Sequence, residues 1–270
     1  MVATPIGNLG DLSYRAHDAL TRVDAVLCED TRVTAKLLRA YGVDRPTLSY
    51  HEHNAAQRRP EVLRRLAEGE ALALVSDAGT PLVSDPGYKL VREAQDAGHA
   101  VLALPGASAA LAALVTSGLP SDRFFFQGFL PAKDGQRRQT LAQLRELPAT
   151  LIVYESPKRL AKTLAAMVEA LGDREAAVAR ELTKRFESVT RDRLSALART
   201  FAEPPKGEVV IVVAPADPEE ATAAADAVDA RLRTALAEMS VRDAAAAVAQ
   251  ATGWPKKRVY ERALALKADG

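Results

Sequence analysis

The densest group of residues able to do chemistry is Ser76-Asp77-Ala78-Gly79-Thr80-Pro81, continuing through Val83-Ser84-Asp85-Pro86-Gly87. Its two carboxylates can accept hydrogen bonds from an amino group or from ribose hydroxyls, and its glycines let a ligand approach the backbone closely. Two Asp, two Gly and two Pro in so short a stretch exceed what a capped turn requires. Three further loops have a similar character: Thr4-Pro5-Ile6-Gly7-Asn8, Cys28-Glu29-Asp30-Thr31-Arg32 and Pro105-Gly106-Ala107-Ser108. None is a phosphate cradle, because neither Gly-x-x-x-x-Gly-Lys-Ser/Thr nor Gly-x-Gly-x-x-Gly occurs. Loops of acceptors and backbone groups, with little fixed positive charge, suit a ligand without phosphates. Later in the chain, Tyr154-Glu155-Ser156-Pro157-Lys158-Arg159 and Ala179-Arg180-Glu181-Leu182-Thr183-Lys184-Arg185 set carboxylates beside lysines. They suggest a site facing the first loops; the plainer alternative is a pair of ion-paired helix starts on a solvated face.

These loops need a scaffold, and the apolar pattern supplies one. Short apolar runs at 2–6, 25–29, 47–51, 71–76 and 100–104 alternate with helical patterns at 13–22, 33–41, 55–68 and 88–97. Strand–helix alternation with continuous apolar strands predicts a parallel sheet covered on both faces. Ligands bind such sheets beyond the carboxyl ends of the strands, where every polar motif above falls. A second α/β unit is expected from about residue 121, with strands at 124–129, 151–154, 176–179 and 209–213 and helices at 136–147, 158–171 and 193–201. From residue 218 the chain turns alanine-rich and helical. Ser240-Val241-Arg242-Asp243 has the form of a helix start, Thr252-Gly253 ends that helix, and Pro255 opens another to 266, which is a helix-turn-helix outline. The expected division is 1–120, 121–217 and 218–270.

The 270 residues carry a net charge of +1, with 48% hydrophobic and 26% charged residues, an ordinary balance for a globular chain. Any nucleic-acid site must then be a local patch. Cys28 stands alone, so internal disulfides and cysteine zinc clusters are excluded, and a reducing, cytoplasmic setting is expected. No charge occurs between Ala100 and Ser121, but Pro105-Gly106 interrupts that run, which reads as strand, turn and buried helix rather than a membrane span. No signal peptide is expected, since the first basic residue is Arg15. The pair His51 and His53 is weak evidence for a metal, and no metal is expected. Trp254 reads as core.

Taken together and in order, residues 3–11, Glu29-Asp30-Thr31-Arg32, 76–87, 105–108, Tyr154-Glu155-Ser156-Pro157 and Arg180-Glu181-Leu182-Thr183-Lys184 resemble the tetrapyrrole methylase superfamily. Within it, the likeness is to the branch that methylates a cytidine 2′-hydroxyl of 16S rRNA in the small ribosomal subunit. It runs to about Ala214. The Ser-Pro-His-Arg of that family is Ser156-Pro157-Lys158-Arg159 here, so no histidine role carries over. The resemblance also implies a few more residues ahead of Val2 than stand here, leaving the first strand short. It implies two α/β domains with S-adenosyl-L-methionine folded in the cleft between them, a homodimer, and RNA as substrate. By position, Pro5, Asp77, Gly79, Thr80, Ser108, Ala109, Tyr154 and Ala179 would line the cofactor, with Asp85 close by and the strand opening at Gly207 bordering it.

Methyl transfer from a sulfonium to oxygen is an in-line displacement in which the cofactor carries the activation. A ribose hydroxyl is a poor nucleophile, so a base or cation should assist it. A lysine with a pKa lowered by burial is one option, with Lys158 and Lys184 as candidates and Glu155 and Glu181 orienting them. Asp30, Arg32 and Asn54 are candidates from the first domain. For RNA contacts, Lys133, Arg137 and Arg138 form a basic loop, and Lys256, Lys257, Arg258 and Arg262 lie on the last helix around Tyr260. Residues 240–270 hold six Lys/Arg against three Asp/Glu. Such a patch can hold phosphates without reading sequence. Two rivals are a C-methyltransferase of tetrapyrroles and a non-enzymatic RNA- or DNA-binding protein.

Overall fold

The computed structural model describes residues 1–85, 87–216, 218–252, 254 and 256–268. A three-stranded parallel sheet of order β2-β1-β3 is built from β1 (Ala25–Cys28), β2 (Thr47–Ser49) and β3 (Leu72–Leu74). Because side chains alternate across a strand, Val26 and Cys28 join Ala16, Leu20, Leu38 and Ala73 on one face. Leu27 joins Tyr50, Val62, Leu74 and Leu90 on the other. The covering helices are α1 (Tyr14–Arg22), α2 (Thr31–Ala40), α3 (Ala55–Ala67) and α4 (Tyr88–Asp96). Ser13 and Asp30 cap the first two by accepting from Ala16 and Arg32 backbone N–H groups.

The expected strands at 2–6 and 100–104 are reduced to isolated bridges, Val2 to Val75 and Leu104, and Thr4 to Gly79. Pro5 has no N–H to donate, and Thr4 turns away to pair antiparallel with the glycine-rich loop, so the ladder stops there. In the charge-free run, α5 (Ala109–Thr116) follows Ser108. No described helix is long and apolar enough to cross a membrane.

The second sheet has the order β4-β5-β8-β6-β7, from β4 (Phe124–Phe129), β5 (Thr150–Glu155), β6 (Glu175–Arg180), β7 (Ser188–Arg193) and β8 (Val209–Val213). Only β4 and β5 run parallel; the other pairs are antiparallel. The strand β7 was not legible in the sequence. Its Ser-Val-Thr-Arg-Asp-Arg run is largely polar because it lies at the sheet edge, with Arg191 to Arg193 exposed. One face of this sheet packs on α6 (Asp134–Leu144), α7 (Leu160–Leu171) and α8 (Leu194–Thr200) through Leu151, Val153, Val178 and Ile211. The alternate residues Ile152, Ala179, Val210 and Val212 pack against α5 and Ile6. Strand alternation therefore joins the second sheet through an apolar seam to α5 and Ile6, elements of the first unit.

Helices α9 (Pro218–Leu236), α10 (Val241–Thr252) and α11 (Lys256–Ala268) form the C-terminal unit around Trp254, Val228, Leu232, Val248 and Val259. Trp254 is core there, as its sequence context suggested. Gly253, Pro255 and the motif residue Pro86 lie outside the described residues.

Candidate active site

The loops of the first sheet are stitched together. Thr4 and Gly79 exchange backbone hydrogen bonds at 2.9 and 3.0 Å, and the Thr4 hydroxyl donates to the Ser76 carbonyl at 2.9 Å. Thr80 donates to the Ala107 carbonyl at 3.2 Å. Gly106 lies against Ala3, where any Cβ would sit 2.9 Å from the Ala3 Cβ. From the second sheet, the Tyr154 hydroxyl accepts from the Ala110 N–H at 3.2 Å and so ties β5 to the start of α5. These contacts frame a cavity of about 330 Å³, within the range of small-molecule sites.

Asp77, Gly79, Thr80, Asp85, Ser108, Ala109, Tyr154 and Ala179 all line it. Pro5 and Gly207 do not. The lining wall beside Pro5 is Ile6, and beside Gly207 it is Glu208 and Val209. Gly207 serves Glu181 instead: at φ +94°, a Cβ there would stand 2.3 Å from the Glu181 carboxyl carbon. Ser76, Ala78, Val83, Ser84, Phe129, Leu182 and Val210 also line the cavity and went unassigned. Ser76, Ala78, Val83, Ser84 and Leu182 stand inside motifs already singled out, whereas Phe129 and Val210 stand on apolar strands. Backbone strain concentrates at the cavity, with positive φ at Leu82, Ser84, Glu181 and Thr183, a pattern common at functional sites.

The electrostatics are one-sided. No Lys, Arg or His is among the described lining residues, whereas Asp77, Asp85, Glu155 and Glu208 are. Glu155 is spent internally. Its buried carboxylate accepts from Ser156 N at 2.7 Å, Thr163 Oγ1 at 2.6 Å and Arg159 Nη2 at 3.2 Å. Asp77 accepts from the Asp30 N–H at 3.2 Å. Asp85 accepts from the Ser76 hydroxyl and pairs with no cation among the described residues. Burial pushes its carboxyl above the ordinary value, and the neighbouring Asp77 charge adds to that. Glu29, at the rim, is raised by burial and by the charges of Asp77 and Asp85. An anionic ligand would meet the Asp77 and Asp85 carboxylates, whose hydrogen bonds among the described residues come from neutral groups. A compact cation fits the donor set.

Several sequence expectations are corrected by the geometry. Lys184 is not a lysine of lowered pKa. Burial opposes its charge, but hydrogen bonds to Glu208 at 2.8 Å and Glu181 at 2.9 Å outweigh that and hold the ammonium above the usual lysine value. Glu181 does orient Lys184, whereas Glu155 orients Arg159 and not the exposed Lys158. Asp30 is kept well below the usual carboxylate range, first by the Arg32 side chain and then by its backbone N–H. Such a carboxylate is a helix cap and a poor proton acceptor. The Asn54 amide is consumed by a turn, donating to Ser49 and accepting from the His51 N–H.

Among the candidate RNA contacts, Arg137 is 5% exposed and bonds Asp134. Arg138 bridges Asp134 and Glu169. Arg262 makes a two-pronged pair with Asp229, and Arg258 lies 4.5 Å over the Trp254 ring and pairs with Glu146. Lys133, Lys256 and Lys257 remain exposed.

Residues 1–198 match the family of Tetrapyrrole (Corrin/Porphyrin) Methylases, and residues 221–267 match the RsmI C-terminal HTH domain. The chain is 53% identical to ribosomal RNA small subunit methyltransferase I of Mesorhizobium japonicum, over 99% of this chain and 91% of that one. It is 44% identical to the protein of the same name from Synechocystis sp., over 100% and 98%. Among solved structures, diphthine synthase aligns with a TM-score of 0.63 at 18% identity, covering 79% of this chain and 88% of that one. Uroporphyrin-III C-methyltransferase from Thermus thermophilus, complexed with S-adenyl homocysteine, aligns at 0.53 and 22% identity, over 78% and 94%. Those two likenesses establish the fold, and the sequence relatives establish the rest: the chain belongs to the ribosomal RNA small subunit methyltransferase I family of the tetrapyrrole methylases.

Proposed function

We propose that the chain methylates small-subunit ribosomal RNA with S-adenosylmethionine, and that the acceptor is the ribose 2′-hydroxyl of a cytidine. The observation that carries this reading is the cavity at the meeting of the two sheets, lined by carboxylates and free of cations among its described residues. When bound, S-adenosylmethionine supplies an activated methyl carbon and a leaving group that departs neutral. Asp77, Gly79, Thr80, Ser108, Ala109, Tyr154 and Ala179 are the residues that hold it, through acceptors and backbone groups on one side and apolar wall on the other. Asp85 is the proton acceptor for the ribose hydroxyl. Like Asp77 it is held by a neutral donor and by no cation among the described residues, and burial makes Asp85 more basic than an ordinary carboxylate. Lys184 remains a cation and braces the loop after β6 against the start of β8. Exposed Lys133, Lys158, Lys256 and Lys257 supply phosphate contacts.

The chain works as a homodimer in this reading, with units 1–120 and 121–217 forming the catalytic body and 218–270 assisting RNA binding. The tetrapyrrole rival needs cations for a polycarboxylate macrocycle, and the described lining offers none. The deciding experiment incubates the protein and labelled S-adenosylmethionine with small subunits lacking the modification, then maps nucleosides by mass spectrometry. A 2′-O-methylcytidine is the expected product. Label on a base, or on a porphyrinogen precursor and not on RNA, would refute the reading.

A further inference from the structure

Phe129, the last residue of β4, is 58% exposed although it lines the cavity. Its direction is a product of the backbone. In β4, Phe126 pairs with Ile152 and Gly128 with Val153, so Gln127 is an extra residue and the strand carries a bulge. Regular alternation would send Phe126 and Phe129 to opposite faces. The bulge brings both to the same side, where their ring centroids lie 4.9 and 5.6 Å from that of Tyr154. Gly128 allows this with φ +69°, and any Cβ there would stand 3.0 Å from the Ser84 hydroxyl. Bulges beside active sites commonly re-aim one side chain, and this one spends ladder pairing to hold an apolar ring half in water. Ser84, against which Gly128 lies, immediately precedes Asp85, and Phe129, Ser84 and Asp85 all line the same cavity.

We propose that Phe129 is the stacking platform for the nucleobase of the target nucleotide, held at the mouth while its ribose reaches Asp85. This deepens the ribose-methylation reading and rests on it. A sugar hydroxyl inside folded RNA reaches an enclosed cavity only if its nucleotide is drawn out of the stack, and the unstacked base then needs a flat apolar partner. The Phe129 ring packs edge-to-face with Tyr154, itself anchored to the Ala110 N–H, so the ring has less side-chain freedom to lose on binding than one free in solvent.

The test compares Phe129→Ala, Phe129→Leu and Phe129→Tyr in the full-length protein with unmodified small subunits. Phe129→Ala and Phe129→Leu should lose on the order of ten- to a hundredfold in kcat/KM, and Phe129→Tyr should recover most of it. S-adenosylmethionine affinity should stay within about twofold for all three. In Phe129→Trp, the indole fluorescence should be quenched by a cytidine-containing RNA oligonucleotide. Equal activity of Phe129→Leu and Phe129→Tyr would overturn stacking, since Leu is apolar but not planar. Loss of cofactor affinity would assign the ring to the cofactor, and a changed oligomeric state would assign it to a subunit contact; either overturns the proposal. Failure of the wild-type protein on these subunits would instead sink the methylation reading, so the two failures are told apart.

Discussion

Replacing Asp85 by Asn tests the chemistry most directly, because it keeps the shape and the hydrogen bond from Ser76 while removing the basic group. The groups facing Asp85 are the Ser76 hydroxyl, the Asp77 and Glu29 carboxylates and Tyr154, with no cation among the described residues. General-base assistance contributes about 10²- to 10⁴-fold. The lower end is expected here, since a half-buried site leaves room for water to take the proton. Single-turnover methylation should therefore slow about a hundredfold, roughly 2.7 kcal/mol at 1.36 kcal/mol per tenfold, with cofactor affinity changed by less than about tenfold. The wild-type rate should fall as pH drops through the raised Asp85 value, and the variant should lack that limb. Stability moves the other way. A carboxyl whose folded pKa lies above its ordinary 3.8 favours folding below that value, and this contribution is lost as pH rises through the folded one. Asp85→Asn should then raise Tm at neutral pH and leave it unchanged near pH 3. A rate loss under tenfold, or one explained wholly by weaker cofactor binding, would refute the assignment.

Glu155→Ala removes the acceptor of the buried Thr163 hydroxyl and one of several partners of Arg159 and should cost on the order of 1–3 kcal/mol, read as a Tm drop, whereas a purely catalytic role would leave Tm unchanged. Gly207→Ala forces a Cβ into the Glu181 carboxylate at φ +94° and should destabilise by about 1–3 kcal/mol in a denaturant titration. Lys256→Glu with Lys257→Glu should weaken binding to the small subunit and flatten its salt dependence while Tm holds; Arg262→Ala should instead lower the stability of the C-terminal unit, because that guanidinium belongs to Asp229. Leu111 and Val115 lie one turn apart on the exposed side of α5, with Val115 74% exposed. Val115→Glu should convert the expected dimer to monomer in sedimentation, and an unchanged mass would remove that surface from the interface.

Much of the scaffold was legible because its signals are local. The apolar runs, the glycine- and aspartate-rich loops after them and the Ser240 helix start depend on residues a few positions apart, and Asp77, Gly79, Asp85 and Ser108 meet at the cavity as their places at strand ends implied. The fate of each charge was not legible. Arg137, Arg262 and Lys184 have the composition of a phosphate or proton site, yet each is held by a carboxylate: Asp134 three residues away, Asp229 thirty-three away, and Glu181 with Glu208. Residue type determines what a side chain can do, while pairing, burial and hence pKa depend on what folding brings beside it. Phe129 makes the same point without charge. Alternation along β4 directs it to one face, and one extra residue, permitted by the left-handed backbone of Gly128, turns it to the other. The sequence by itself determined most of the strands and helices, the loops and their acceptors; only the tertiary structure decided which groups stay free to act, because that choice is made by contacts between distant parts of the chain.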